Sequence, residues 1–488
     1  MGIDKIMRIL LVHPECQSSL IGFRLAAMPE PLALEMVAAC VPDYDVRILD
    51  MRVDGNLLGT LEDFAPDVVG VTALTTEVYA AQDVLQMVKQ FSPEIITVVG
   101  GMHATMMPED FYLPYVDIIT LGEAELVFPH LIDALESGRR LRDVANIIWQ
   151  DGDGYFHRNR AGSMKMDMSN LPFPRRDLVE EHRDEYFWLF SKPDTAMATG
   201  RGCPFRCNFC SVWQFYKGIT RQMPAERVVE EIKTIDTEHI TFMDDNFLMN
   251  YKRETAIAEM IKAEGIKKRY GMECRTDSIV RHPDLVEKWA EIGLSSVLLG
   301  LEGISDEDLK SVNKGTTARV NDEAVRIMHD NGVIVWGAFI VDPMWDRDDF
   351  KRLKDYVERM QITQTQFTVL TPLPGTKLYE QRKAELLTND YTCFDALHAV
   401  TRTRLPREEF YQLYANLYKQ RSLEPYYHLV KSGKMTLEDC KRGKRMLDVM
   451  SRWELYLEKD PVLGHTRDKV KPSTRQPKLL PTQVQAGK

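Results

Sequence analysis

Three cysteines stand at C-x3-C-x2-C spacing in the stretch Gly200-Arg201-Gly202-Cys203-Pro204-Phe205-Arg206-Cys207-Asn208-Phe209-Cys210. Thiolates are soft ligands, and a short loop relieved by glycines can curl three of them around one face of an iron–sulfur cluster. A fourth cysteine would close a [4Fe–4S] cluster. Three leave one iron open to an outside ligand, which makes such a cluster a reagent rather than an electron wire. The competing reading, a structural zinc site, needs four ligands and usually pairs two short C-x2-C knuckles. The other five of the eight cysteines, Cys16, Cys40, Cys274, Cys393 and Cys440, are scattered singly.

The elements that must hold this loop fall into two sets. Near the N-terminus, Arg8–Pro14, Asp45–Asp50, Asp67–Thr72, Ile95–Gly101 and Val116–Thr120 are short apolar runs. Between or after them, segments 31–40, 78–91 and 123–136 have helical character. Strands alternating with helices predict a doubly wound, Rossmann-like parallel sheet, whose ligands sit beyond the carboxyl ends of its strands. Two loops lie at those ends: Gly100-Gly101-Met102-His103, and Gly122-Glu123-Ala124-Glu125. Asp151-Gly152-Asp153-Gly154 is a hairpin turn signal, and Leu171-Pro172-Phe173-Pro174 a proline-punctuated connector.

Six further strands follow: Asp194–Thr199, His239–Met243, Tyr270–Arg275, Ser295–Gly303, Val333–Ile340 and Gln366–Thr376. Six strand–helix repeats predict a partial (β/α)6 barrel, with the cysteine loop at the carboxyl end of its first strand, where barrel chemistry is found. The second strand ends in Asp244-Asp245, the third in Arg275, the fourth in Glu302. Segments 406–421 and 423–457 read as helical, with Tyr411, Leu413, Tyr414, Leu417 and Tyr418 on a crowded face expected to pack on the barrel. Residues 465–488 are rich in Pro, Gln and Lys and are expected to be disordered. The expected organisation is 1–145, a linker at 146–190, a core at 191–400, a helical region at 401–464, and the tail.

Bulk properties bound the partners. A chain of 488 residues carrying a net charge of −11 is unsuited to nucleic acid as its main partner. Eight cysteines over this length make no disulfide scaffold, which fits a reducing cytoplasm. The start, Met1 to Arg8, runs straight into a strand without the apolar core of a signal peptide, and no apolar run reaches bilayer length. Any contact with the inner membrane is expected to be peripheral.

The cysteine spacing, with Phe209 before its last member, resembles the radical S-adenosylmethionine (radical SAM) superfamily. The first domain resembles the cobalamin-binding domain found in front of many such enzymes. The Asp-x-His-x-x-Gly pattern that gives cobalt a histidine in methionine-synthase-like proteins is not seen. The resemblance implies a 4Fe–4S cluster on Cys203, Cys207 and Cys210, with SAM on the open iron. It assigns SAM contacts to Phe209, Asp244, Asp245, Arg275 and Glu302, Arg275 either pairing with the SAM carboxylate or bracing the barrel. It assigns cobalamin contacts to Gly100, Gly101, His103, Gly122 and Glu123, His103 being read as a loop residue near the nucleotide tail. Methylcobalamin would supply the methyl group, SAM the radical, and a ferredoxin or flavodoxin the electron. Over the whole chain, including 13–19 and 22–31, the pattern looks most like bacterial hopanoid C-3 methylases, implying a hopanoid lipid substrate methylated on ring A. The alternatives are a reaction like that of the anaerobic magnesium-protoporphyrin monomethyl ester cyclase, which also resembles the chain in both domains, and a cobalamin or iron–sulfur sensor.

Overall fold

The structure, a computed structural model, describes residues 6–15, 26–162, 166–189, 191–419, 424–431, 433 and 435–463. Residues 16–19 and 22–25, within the stretches that carry the whole-chain resemblance, and the tail expected to be disordered, 465–488, lie outside them. The chain divides into two compact units, one built on residues 31–181 with the first strand, the other on 182–463 with residues 26–30.

The first unit is a seven-stranded sheet. Its strands are β1 (Arg8–His13), β2 (Asp45–Asp50), β3 (Val68–Thr72), β4 (Ile96–Gly100), β5 (Ile118–Thr120), β6 (Ile147–Gln150) and β7 (Phe156–Arg158), in the order β2-β1-β3-β4-β5-β6-β7. The first five are parallel, as their patterning predicts. Ile9, Leu10, Leu11 and Val12 are all buried, because a central parallel strand is covered on both faces and so reads as an unbroken apolar run. Helices Leu32–Ala39, Val78–Phe91 and Ala124–Ser137 pack on it, joined by Leu57–Phe64, which the sequence reading missed. The hairpin at Asp151–Gly154 does form, but its two strands continue the sheet antiparallel beyond β5 rather than standing in a linker. Pairing with β6 covers the edge that β5 would otherwise expose. The order reverses between β1 and β3, and the crevice at such a switch point is where open α/β sheets bind ligands.

The second unit is a six-stranded all-parallel sheet: β8 (Asp194–Met197), β9 (His239–Phe242), β10 (Arg269–Arg275), β11 (Leu294–Glu302), β12 (Ile334–Val341) and β13 (Gln364–Val369), hydrogen-bonded in sequence order. Capping fixes where the intervening helices start. Asn250 accepts from Arg253 N–H, and Ser305 with Asp308 and Asp346 with Asp349 form capping boxes.

Both edges of this incomplete barrel are covered. At β8, the buried Glu30 accepts a hydrogen bond from Ala196 N–H (2.9 Å) and pairs with Arg183. Residues 26–30, expected in the first domain, therefore belong to the barrel unit; Ala27–Met28 also pairs with Phe187–Trp188. At β13, Tyr414 and Tyr418 each donate to the Phe367 carbonyl (2.6 and 2.9 Å), and Tyr418 accepts from Phe367 N–H (3.1 Å). The aromatic face of helix Arg407–Leu417 thus seals an edge strand. The region beyond, expected to be mostly helical, contains the helices Glu424–Lys431, Leu437–Met450 and Trp453–Leu457. Among the described residues no helix is long and apolar enough to cross a membrane.

Candidate active site

The cysteine loop leaves the end of β8 and is fastened by carboxylates from the end of β9. Asp244 accepts from Thr199 N–H (2.6 Å) and Thr199 Oγ1 (2.7 Å). Asp245 accepts from Gly202 N–H (2.8 Å). Arg253 donates to the Thr199 carbonyl (3.1 Å). Gly202 has φ +85°, and a Cβ there would sit 2.1 Å from the Ile219 carbonyl oxygen, so this position admits only glycine. On the outer side Asn208 N–H donates to the Val312 carbonyl (3.1 Å), Asn313 Nδ2 to the Arg206 carbonyl (2.7 Å), and Leu378 N–H to the Asn208 carbonyl (2.8 Å). Phe209 packs against Val312, Ile340, Leu370 and Leu378. The loop is therefore held on three sides before any metal binds.

Within it Cys207 is buried, and Cys203 and Cys210 are partly buried. Burial pushes the Cys210 thiol up to about 12 and raises that of Cys203, each further raised by the charge on Cys207. Iron binding here must displace protons from both. Among the described residues no group of three or more His, Cys, Asp or Glu converges on a single ion position. The three thiols, with no fourth cysteine in the loop, fit a cluster with one open iron.

Arg275 makes four contacts within the barrel unit. Its guanidinium lies over the Phe205 ring (3.5 Å to the centroid), pairs with Asp277 (2.8 Å), donates to the Lys314 carbonyl (2.8 Å) and stands 3.9 Å from Cys207 Sγ. These contacts tie Arg275 to the cysteine loop through Phe205 and to the Lys314 segment. Glu302, at φ +60° beside a register shift at the end of β11, is paired with the buried Lys314 (2.7 Å). That pairing takes up one oxygen of the carboxylate read as a SAM contact.

Glu273 was missed in sequence. It alternates on β10 with Tyr270, Met272 and Cys274, which are buried, so its side chain takes the opposite face, as the period-2 pattern of that strand could have shown. Burial, then the charges of Asp245 and Asp244, raise its carboxyl to about 7. Burial raises Asp244 to about 6 despite Arg253 and the Thr199 hydrogen bonds, and raises Asp245 as well. Three carboxyls that repel one another beside the cysteine loop suit a cationic ligand.

In the first unit, the expected cobalamin residues come together at the carboxyl ends of β4 and β5. Thr105 Oγ1 donates to the Gly101 carbonyl and accepts from Gly122 N–H, both at 2.9 Å. Gly101 has φ +95°, and a Cβ there would meet Thr72 Oγ1 and Ala73 at 2.8–2.9 Å; one on Gly100 would meet Thr120 Oγ1 at 2.5 Å. The chain itself fills the room these glycines leave, so its own packing already explains them. His103 is buried, with Nδ1 3.1 Å from Thr75 Oγ1 and Nε2 2.9 Å from Asp110 Oδ2. Both ring nitrogens are engaged by side chains. Glu123 is buried immediately before helix Ala124–Ser137. At the switch point itself stand His13, at the end of β1, and Glu77, 3.9 Å apart; burial lowers the His13 pKa. Neither is marked in sequence as a site residue, although the carboxyl-end rule for parallel sheets points to His13 at the end of β1.

The pattern of the radical SAM superfamily matches residues 197–414, and that of the B12 binding domain matches residues 19–132. The hopanoid C-3 methylase of Methylococcus capsulatus is 31% identical over 83% of this chain and 78% of its own. This chain belongs to the B12-binding radical SAM family. An uncharacterized methyltransferase of Pyrococcus horikoshii is 30% identical over 82% of this chain and 89% of its own, and the anaerobic magnesium-protoporphyrin IX monomethyl ester cyclase of Rubrivivax gelatinosus is 27% identical over 77% and 70%. In fold the chain is similar to the cobalamin-dependent SAM radical enzyme OxsB (TM-score 0.69, 17% identity, 93% of this chain and 80% of that one). It is also similar to the radical SAM methyltransferase TsrM of Kitasatospora setae (TM-score 0.61, 18% identity, 76% and 77%). The protein is a cobalamin-dependent radical SAM methyltransferase, with a 4Fe–4S cluster, SAM and cobalamin as cofactors. Membership of an enzyme family displaces the sensor reading.

Proposed function

We propose that this enzyme adds a methyl group to an unactivated carbon of a bacterial hopanoid, at C-3 of ring A. The observation that carries this reading is the 31% identity to a hopanoid C-3 methylase, sustained over 83% of the chain and so through both units. A saturated polycyclic hydrocarbon has no acidic C–H bond, which is the situation that calls for radical chemistry. When bound, the cluster with SAM supplies a hydrogen-abstracting radical, and methylcobalamin supplies the methyl group.

The residues of this chain then have separate tasks. Cys203, Cys207 and Cys210 hold the cluster, and Asp244, Asp245 and Arg253 hold their loop in register with the barrel. Asp245 and Glu273 offer negative charge to the SAM ammonium. Arg275 fixes the floor beneath Cys207. The crevice between β1 and β3 at His13 and Glu77, continued along the ends of β4 and β5 at Gly101 and Gly122, takes cobalamin. The substrate comes from a lipid phase, so peripheral contact with the inner membrane belongs to this proposal, as does an external one-electron donor.

Cyclisation of a magnesium porphyrin is the second reading, favoured by the 27% identity to the cyclase over 77% of the chain. The test is a substrate panel under anaerobic reducing conditions with reconstituted enzyme, SAM and methylcobalamin. Diploptene converted to a product one methyl group heavier, with magnesium-protoporphyrin monomethyl ester unchanged, is the expected result. The reverse pattern would establish the cyclase reading.

A further inference from the structure

Side chains alternate along β12. Phe339 packs with Phe367 of β13 and with Tyr356 of helix Arg347–Arg359, which marks the helix-covered face of the sheet. Trp336, Ala338 and Ile340 therefore share the inner face. Ile340 packs with Phe209, the neighbour of Cys210. Four residues earlier on the same face, Trp336 borders an open pocket of about 350 Å³. Four residues of strand span ~13 Å. Ala338, which lies between them on that face, is small and half-buried.

The pocket belongs to the barrel unit alone, and its walls include Trp336, Phe367, Leu397, Met446, Met450 and Ala26. Met446 and Met450 stand one turn apart on helix Leu437–Met450 and so line it together. Another turn back, Arg442 ties that helix to the Leu189 carbonyl (3.2 Å). The polar groups of edge strand β13 at Phe367 are taken by Tyr414 and Tyr418 hydroxyls. Among the described residues no charged side chain lines the pocket. What it offers a ligand is hydrocarbon, an indole face and two thioethers, whose unbranched chains adapt to an irregular apolar body.

We propose that this pocket seats the ring-E end of the pentacyclic substrate, and that Trp336, Met446 and Met450 thereby determine which carbon of ring A is methylated. The inference rests on the hopanoid reading of the function. A saturated five-ring skeleton is rigid, and its length is comparable to the separation between the pocket and the cysteine loop. Fixing one end therefore fixes the carbon presented at the other, and a small misplacement there costs rate steeply. Neighbouring ring carbons differ in no charge and no hydrogen bond, so an apolar stop at the far end is a means of telling them apart by length. The pocket has room for that end of the skeleton and not for the whole of it.

The test uses the full chain loaded with cluster and cobalamin. A hopanoid carrying a photoactivatable diazirine on its ring-E side chain is irradiated with the enzyme, and the labelled residues are located by peptide mass spectrometry. Diploptene methylation is assayed in parallel for wild type, for Met446→Trp, which fills the pocket, and for Trp336→Ala, which enlarges it; iron content reports whether each variant folds. The expected label falls on Trp336, Leu397, Met446 or Met450. Met446→Trp should raise KM for diploptene at least tenfold, and Trp336→Ala should give methylation at more than one ring carbon. Diploptene methylated by a protein labelled only elsewhere, or wild-type KM in Met446→Trp together with a single product from Trp336→Ala, would overturn the pocket and leave the substrate reading standing. Neither methylation nor labelling by any hopanoid would overturn both. Labelling does not depend on turnover, so the two failures are told apart.

Discussion

Asp244 is the residue through which the barrel holds its cysteine loop, and its removal tests that claim quantitatively. The carboxylate is buried and accepts from Thr199 N–H and Thr199 Oγ1 at 2.6 and 2.7 Å. Gly200 N–H is a further donor to it. Leaving such donors buried and unsatisfied costs about 1–3 kcal/mol each. Against this, burial raises the Asp244 carboxyl from 3.8 to about 6. Keeping it ionised at neutral pH therefore costs roughly 3 kcal/mol, at about 1.4 kcal/mol per pKa unit. The two effects predict an order. Asp244→Asn loses the charge but keeps an acceptor and a group that can donate to the Thr199 hydroxyl, so it should cost only ~1–2 kcal/mol. Asp244→Ala abandons the donors and should cost ~3–5 kcal/mol and unfasten the loop. Urea unfolding, with iron and sulfide per chain measured after anaerobic reconstitution, reads both. Asp460→Asn serves as the control, since its partners are Arg407 and Tyr411 rather than the cysteine loop. It should lower stability while keeping iron. Full iron content in Asp244→Ala would refute the reasoning.

Gly202→Ala should fail to hold iron even where the chain still folds, because its φ of +85° and the Ile219 carbonyl leave no room for a Cβ; wild-type absorbance of the reconstituted cluster would contradict this. Tyr418→Phe should cost ~1–2 kcal/mol in urea by freeing the backbone of edge strand β13, with iron content unchanged. The Glu273 carboxyl, raised to about 7, stays protonated in the folded protein between about 4.5 and 7, where the unfolded chain has lost its proton, so its contribution to stability declines as pH rises through that window. A cationic ligand reverses the preference. SAM affinity should therefore tighten from pH 6 to 8 with proton release on binding, seen by calorimetry in two buffers, and Glu273→Gln should flatten the dependence.

The two sheets were legible because buried parallel strands are written as apolar runs between turn signals, and the cysteine loop because its spacing is local. What stayed hidden was set by distant partners. Residues 26–30 read as part of the first domain, yet Glu30 satisfies a backbone donor of β8, more than 160 positions away. Strands 147–150 and 156–158 read as a hairpin, but whether a hairpin stands free or extends a sheet depends on an edge elsewhere in the chain. Arg275 and Glu302 were found as charges at strand ends. Their roles turned on Asp277, Phe205 and Lys314, and Lys314 becomes a neighbour only once β11 and its following helix fold back. Glu273 lies mid-strand, where alternation along β10 shows its face but not the carboxylates that face meets. The tyrosine face of helix Arg407–Leu417 was correctly expected to pack on the barrel, since five large apolar or aromatic side chains on one stripe seek burial.

The central claim is that one protein couples radical C–H cleavage to methyl transfer. Its most direct test is a single anaerobic turnover experiment with reconstituted enzyme, methylcobalamin, reductant, diploptene and SAM carrying a deuterated methyl group. The account predicts 5′-deoxyadenosine, S-adenosylhomocysteine and methylated hopanoid formed in equal amounts over many turnovers, with the deuterated methyl group in the lipid. Formation of 5′-deoxyadenosine without S-adenosylhomocysteine or label in any product would contradict it.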